Sequence, residues 1–212
     1  AQVHGHQREW VGAVGEGFAR LRDQDGRLAG TDVLGTPATG RGTAMRINDA
    51  AADPGGRFWT GAMPYDGTEG HGFVARLDPD GAVQVVLEGL SIPNGPVFSA
   101  DGGTMYLADT PTGWIRRYPV DLATGELGEA HDFAHIDEGG PDGMAIDAHG
   151  CVWSAIWGAS CVHRYSPDGT LLERIPVPMR QPTSVALSTT PPYRAIVTSA
   201  TIGLEEPQEH DG

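Results

Sequence analysis

Two phrases recur along this chain and alternate with one another. The first is a strand-like run, an aspartate-led turn containing glycine, and a second strand-like run: "AADPGGRFWTGAM", "FSADGGTMYLADT" and "IDAHGCVWSAIWG". Its aspartates, Asp53, Asp101 and Asp147, stand 48 and 46 residues apart. The second is an arginine, an apolar position and a turn ending in glycine: "RLRDQDGRL", "RLDPDGAV", "RYPVDLATGEL" and "RYSPDGTL". Its glycines, Gly26, Gly81, Gly125 and Gly169, follow at steps of 55, 44 and 44. Glycine tolerates the positive φ that tight hairpin turns demand, so each phrase marks a hairpin. One period therefore holds two hairpins, or four strands. That is the content of a propeller blade, and about 45 residues is its length. Helical repeats of similar length fit badly. No window sustains apolar residues at i, i+3 and i+4, and 31 Gly and 16 Pro interrupt throughout.

The expected fold is all-β, a β-propeller of four-stranded blades, with residues 1–212 forming a single domain of four to five blades. "RFWTGAM", "TMYLADT" and "CVWSAIW" are mostly apolar and read as inner strands buried on both faces. "FVARLD", "WIRRYPV" and "CVHRYS" alternate more and read as outer strands. Trp59, Trp114, Trp153 and Trp157 read as blade-packing residues.

The formal net charge is −14, and all 14 basic residues are arginine. Nucleic-acid binding needs clustered cations to displace counterions, so it is not expected. The acidity reads as a solvated surface from which a few carboxylates could gather round a cation. Cys151 and Cys161 lack zinc-site spacing and read as free, partly buried thiols. No apolar run reaches membrane-spanning length and the start has no signal-peptide core. A cytoplasmic protein, monomeric or weakly dimeric, is expected. The start carries no Met and reads as a chain missing its natural beginning. The eight histidines are scattered. His4 and His6 read as a surface terminus, and His131 and His135 as loop residues.

Three segments carry an amide or acid where a turn enters a strand. "AMRINDAAADPGGRFW" holds Arg46, Asn48 and Asp49; "IPNGPVFSADG" holds Asn94; "GPDGMAIDAHG" holds Asp142. In a propeller such lead-ins face the central channel. Asn94 and Asp142 are 48 residues apart, one blade step, and so point at one spot on the axis. "PNG" and "PDG" are also ordinary turn tripeptides. Matching register is what raises the metal reading to equal standing. Oxygen donors from Asn and Asp suit hard divalent ions.

The segments "RINDAAADPGGRFWTGAM", "SIPNGPVFSADGGTMYLADT", "GPDGMAIDAHGCVWSAIWGASCVHRYSPDGTLLERIPVP" and "QPTSVAL" resemble consecutive landmarks of the gluconolactonase/regucalcin (senescence marker protein) family, in order and spacing, from about Val14 to Leu204. The resemblance implies a six-bladed propeller holding one divalent cation in its central channel. Ca²⁺ is the first expectation, with Zn²⁺, Mn²⁺, Mg²⁺ and Fe²⁺ as alternatives. It implies Asn94 and Asp142 as metal ligands, Arg46 and Asn48 as substrate-binding residues, and Asp66, after "GAMPY", as a further substrate contact. The family's third ligand is a Glu in an E-G-P segment about a blade and a half before R-x-N-D. Glu16 lies only 32 residues before Asn48, and "GEGFARLRDQDG" matches a second-blade outer hairpin instead. The resemblance therefore implies a chain that starts after the first blade and stops before the closing strand.

The expected activity is hydrolysis of a sugar lactone, a small-molecule substrate, by a metal-activated water attacking the lactone carbonyl. Asp142 would serve as ligand and could also take the water's proton as catalytic base. Arg46 and Asn48 would bind sugar oxygens, and Arg46 could stabilise developing charge. The alternatives are a non-catalytic or degenerate cation-binding propeller, or a related propeller esterase or phosphotriesterase.

Overall fold

The computed structural model describes residues 9–212; His4 and His6 lie outside them. Five antiparallel sheets follow one another along the chain. The first pairs β1 (Glu9–Val14), β2 (Gly17–Gln24) and β3 (Arg27–Gly35). The second pairs β4 (Met45–Ala52), β5 (Phe58–Pro64), β6 (Gly72–Leu77) and β7 (Val83–Leu90). The third pairs β8 (Pro93–Phe98), β9 (Thr104–Asp109), β10 (Trp114–Pro119) and β11 (His131–His135). The fourth pairs β12 (Gly140–Ile146), β13 (Val152–Trp157), β14 (Cys161–Tyr165) and β15 (Leu171–Pro176). The last pairs β16 (Pro182–Leu187) with β17 (Ala195–Ser199). Each sheet is a simple meander, and β4, β8, β12 and β16 pack side by side. This is the propeller arrangement the repeats imply.

Apolar side chains fill the space between successive blades. Trp59 and Val74 of the second sheet meet Met105 and Leu107 of the third. Tyr106, Ile115 and Phe133 of the third meet Val152, Ile156 and Tyr165 of the fourth. Trp59, Val74, Ile115, Val152 and Ile156 are each fully buried. Completely burying such a side chain is worth about 1.5–3 kcal/mol, so the blade-to-blade contacts dominate the fold. Cys151 and Cys161 are both free and buried.

The structure departs from the sequence reading in three places. The runs read as inner strands, β5, β9 and β13, are the second strands of their blades; the segments read as lead-ins are the innermost strands β4, β8 and β12. Their Gly, Pro and Asn content hid them, because each carries a bulge that such residues permit. β6, read as an alternating outer strand, is buried at every residue between β5 and β7. His131 and His135 bound a strand, β11, and the His135 ring packs at a tilt against Trp114 with centroids 4.6 Å apart.

Turn geometry also corrects the repeat. Asp53 N–H donates to Arg57 C=O and Asp147 N–H to Cys151 C=O, both at the end of an innermost strand. In the third blade it is Ser99, not Asp101, that occupies this place, donating its N–H to Thr104 C=O. The Ser99 hydroxyl donates to the Asp101 carboxylate at 2.6 Å, so the acid is carried two residues further on. Ser188, donating to Arg194 C=O, holds the same place after β16.

Candidate functional site

Five residues before each of these turn-opening positions stand Asn48, Asn94, Asp142 and Thr183. All four line one cavity of about 570 Å³, together with Arg46, Asp49, Thr110, Trp157 and the apolar Met63, Ile92 and Ile202. The equal count from the turn explains the convergence. Each innermost strand delivers the same position to the same end of the propeller. The bulges lie there too, between Ile47 and Ala50, Asn94 and Val97, Pro141 and Met144, and Pro182 and Ser184. A bulge re-aims side chains that an unbroken ladder would send to a sheet face.

The polar side chains are joined across blades. Arg46 Nη1 donates to Asn48 Oδ1 at 2.9 Å and to Ile47 C=O at 3.3 Å. Asn48 Nδ2 donates to Asn94 Oδ1 at 2.7 Å and to Pro93 C=O at 3.1 Å. Asn94 is only 5% exposed. Its Nδ2 donates to Thr110 Oγ1 at 2.7 Å, and Thr110 donates to Pro141 C=O at 2.7 Å.

Two carboxylates face the same space. Asp49 accepts the N–H groups of Ala50 and Gly95, at 2.7 and 3.0 Å. Burial nevertheless holds its carboxyl above the usual range. Among the described residues Asp142 accepts only the N–H of Gly143, at 2.9 Å. Burial, with like charge from Asp49 adding to it, pushes the Asp142 carboxyl up to about 7. Among the described residues neither carboxylate forms an ion pair, whereas Asp53, Asp78, Asp147 and Asp211 all have arginine partners.

This donor set fits a hard divalent ion. It offers buried oxygen from the Asn94 amide and half-buried oxygen from the Asp142 carboxylate, which pairs with no arginine among the described residues. Among the described residues no group of three or more His, Cys, Asp or Glu side chains is gathered for a metal.

The structure brings Arg46, Asn48, Asn94 and Asp142 together but not Asp66. Asp66 is exposed on the turn after β5 and is absent from the cavity wall. It accepts the N–H and hydroxyl of Thr68, at 3.0 and 2.8 Å, which close its own turn. Four polar residues of the cavity wall were not assigned roles from sequence: Asp49, Thr110, Thr183 and Ser184. Asp49 adjoins Asn48 in the "RIND" segment, and Thr183 follows a proline as Asn94 and Asp142 do. Trp157, read as a packing residue, forms part of the cavity wall.

The family described as SMP-30/Gluconolactonase/LRE-like region matches residues 1–201. The chain belongs to that family. Among its relatives is pentonolactonase XacC of Haloferax volcanii, 43% identical over 143 residues, which are 66% of this chain and 48% of that protein. A 6-deoxy-6-sulfogluconolactonase of Pseudomonas putida is 40% identical over 144 residues, 66% of this chain and 49% of that protein. The chain thus spans about half the length of these SMP-30/gluconolactonase relatives. Among solved structures, the calcium-binding protein regucalcin from Agrobacterium tumefaciens superposes with a TM-score of 0.85 at 32% identity, covering 97% of this chain and 68% of that one.

Proposed function

We propose that this cavity is the reaction site of a divalent-cation-dependent hydrolase of sugar lactones. The observation that carries the reading is the pair of half-buried carboxylates, Asp49 and Asp142, without an arginine partner among the described residues, set beside Asn94 in the space that Arg46 and Asn48 enter. The relatives named as sugar lactonases support the substrate class, and the regucalcin relative, named as calcium-binding, supports the cation.

Asn94 through Oδ1 and Asp142 through its carboxylate would hold the cation, with Ca²⁺ the first choice for an all-oxygen donor set. A divalent ion bound there would polarise the lactone carbonyl and acidify a water. The second carboxylate oxygen of Asp142 would be placed to receive a proton from the attacking water. Arg46 commits Nη1 to Asn48 and Ile47. Its remaining donors reach for the sugar oxygens and the negative charge that develops on the carbonyl oxygen. Trp157, Ile92, Met63 and Ile202 supply apolar wall for the sugar's carbon face.

The test is turnover of D-glucono-δ-lactone by the full chain with Ca²⁺ or Mn²⁺ and with chelator. Cation-dependent hydrolysis that Asp142→Ala abolishes is expected. Equal turnover by Asp142→Ala would remove the mechanism.

A second reading, a cation-binding propeller without turnover, draws on the lack of a three-residue acidic or histidine cluster among the described residues. Calorimetric Ca²⁺ binding with no hydrolysis across a lactone panel would select it.

A further inference from the structure

We propose that Thr110 is a positioning residue that sets which way the Asn94 amide is turned. The inference rests on the proposed role of Asn94 as a cation ligand. An asparagine amide has an oxygen end and a nitrogen end of nearly equal shape. Only the oxygen can serve a cation; the nitrogen end presents N–H dipoles that repel one. Something must choose between the two.

The choice is made by a directed chain of hydrogen bonds whose ends cannot reverse. At one end stands Arg46, whose guanidinium only donates. At the other stands Pro141 C=O, which only accepts. Because Thr110 spends its single hydroxyl proton on Pro141, it can only accept from Asn94. Asn94 must therefore turn Nδ2 toward Thr110 and Oδ1 toward Asn48. Asn48 agrees, because its Nδ2 is also claimed by Pro93 C=O and its Oδ1 by Arg46. Turning Asn94 round would set donor against donor at Asn48. It would also force Thr110 to abandon Pro141.

Thr110 is itself firmly held. It opens a single 3-10 turn, Thr110–Thr112, directly after β9. Its N–H donates to Ile92 C=O at 3.1 Å. Gly140 lies so near its methyl group that an added Cβ there would come within 2.6 Å of it. One threonine thus touches the entry to β8 through Ile92 and the segment before Asp142 through Gly140 and Pro141. It ties the two proposed ligands into one frame.

The experiment compares the full chain with Thr110→Val, which keeps the shape and deletes the hydroxyl, and Thr110→Ser, which keeps the hydroxyl. Thr110→Ala takes the place of Thr110→Val if circular dichroism shows that variant unfolded. The first readout needs no cation: solvent exchange of the Asn94 side-chain amide protons by ¹⁵N-resolved NMR. Exchange is expected at least tenfold faster in Thr110→Val and within threefold of wild type in Thr110→Ser. The second readout is calorimetric titration with CaCl₂ and with MnCl₂, Asn94→Ala serving as reference. The dissociation constant is expected to rise about tenfold in Thr110→Val and to recover in Thr110→Ser. Unchanged exchange in Thr110→Val overturns the proposal. So does faster exchange with undiminished cation affinity, because orientation then has no bearing on the ligand. If the wild-type chain binds neither ion, the cation reading falls, and the exchange comparison alone still decides whether Thr110 orients Asn94.

Discussion

Asp49 Oδ2 accepts the backbone N–H of Gly95 at 3.0 Å, so a carboxylate on one blade holds the bulge of the next. The same carboxylate supplies the like charge that adds to burial in raising Asp142. Structure and electrostatics are therefore coupled at this residue. Asp49→Asn keeps an acceptor for Gly95 and removes the charge. The Asp142 carboxyl should then titrate lower than about 7 in the cation-free protein, as followed by carboxyl ¹³C shifts. An unmoved titration would show that burial alone sets it.

A carboxyl raised in the fold contributes stability that is complete below its unfolded value, near 3.9, and is lost as pH rises through the folded one. For Asp142 that loss ends at about pH 7. Asp142→Asn should therefore melt a few degrees above the cation-free wild type at pH 8, and at the same temperature as wild type at pH 3.5. Added Ca²⁺ should stabilise only the wild type. Differential scanning calorimetry at the two pH values, with and without Ca²⁺, reads all of this.

Asp147 behaves in the opposite sense. Burial works to raise its carboxyl, but the Trp153 indole, the N–H groups of Cys151 and His149, and Arg164 together bring it down to about 2. Its stability is present above the ordinary aspartate value of about 3.9 and lost as pH falls toward 2. Asp147→Ala, which strands a half-buried indole N–H and an arginine, should cost about 2 kcal/mol in urea unfolding at pH 7. The difference from wild type should shrink as pH falls toward 2.

Arg46 binds Asn48 and enters the cavity, but it belongs to neither proposed cation ligand. Arg46→Met should lower kcat/KM on a sugar lactone about 100-fold, the scale of losing one donor to a developing oxyanion. Ca²⁺ affinity should change less than tenfold. A larger loss of Ca²⁺ affinity would place the arginine's main effect on the ligands.

Much of the propeller was legible because hairpin turns write themselves in Asp and Gly. The innermost strands were not, because their Gly, Pro and Asn content reads as loop and only the neighbouring blades make them strands. Asp101 misled the repeat by two residues, since Ser99 does the backbone work there and leaves the acid as its partner. The gathering of Arg46, Asn48, Asn94 and Asp142 followed from blade spacing and resemblance. Thr110 had no signal at all. Its contacts reach the entries of two separate strands, β8 and β12, which no local pattern records.

The fifth position before each innermost turn has a wider consequence. Asn48, Asn94, Asp142 and Thr183 sit at or beside bulges, away from the residues that pack blade on blade. The apolar packing between blades and the pocket chemistry are thereby written in separate letters, with Asp49 the residue that belongs to both. A lineage can respell one blade's contribution to the pocket, amide for acid or hydroxyl for amide, while the scaffold that presents it stays intact.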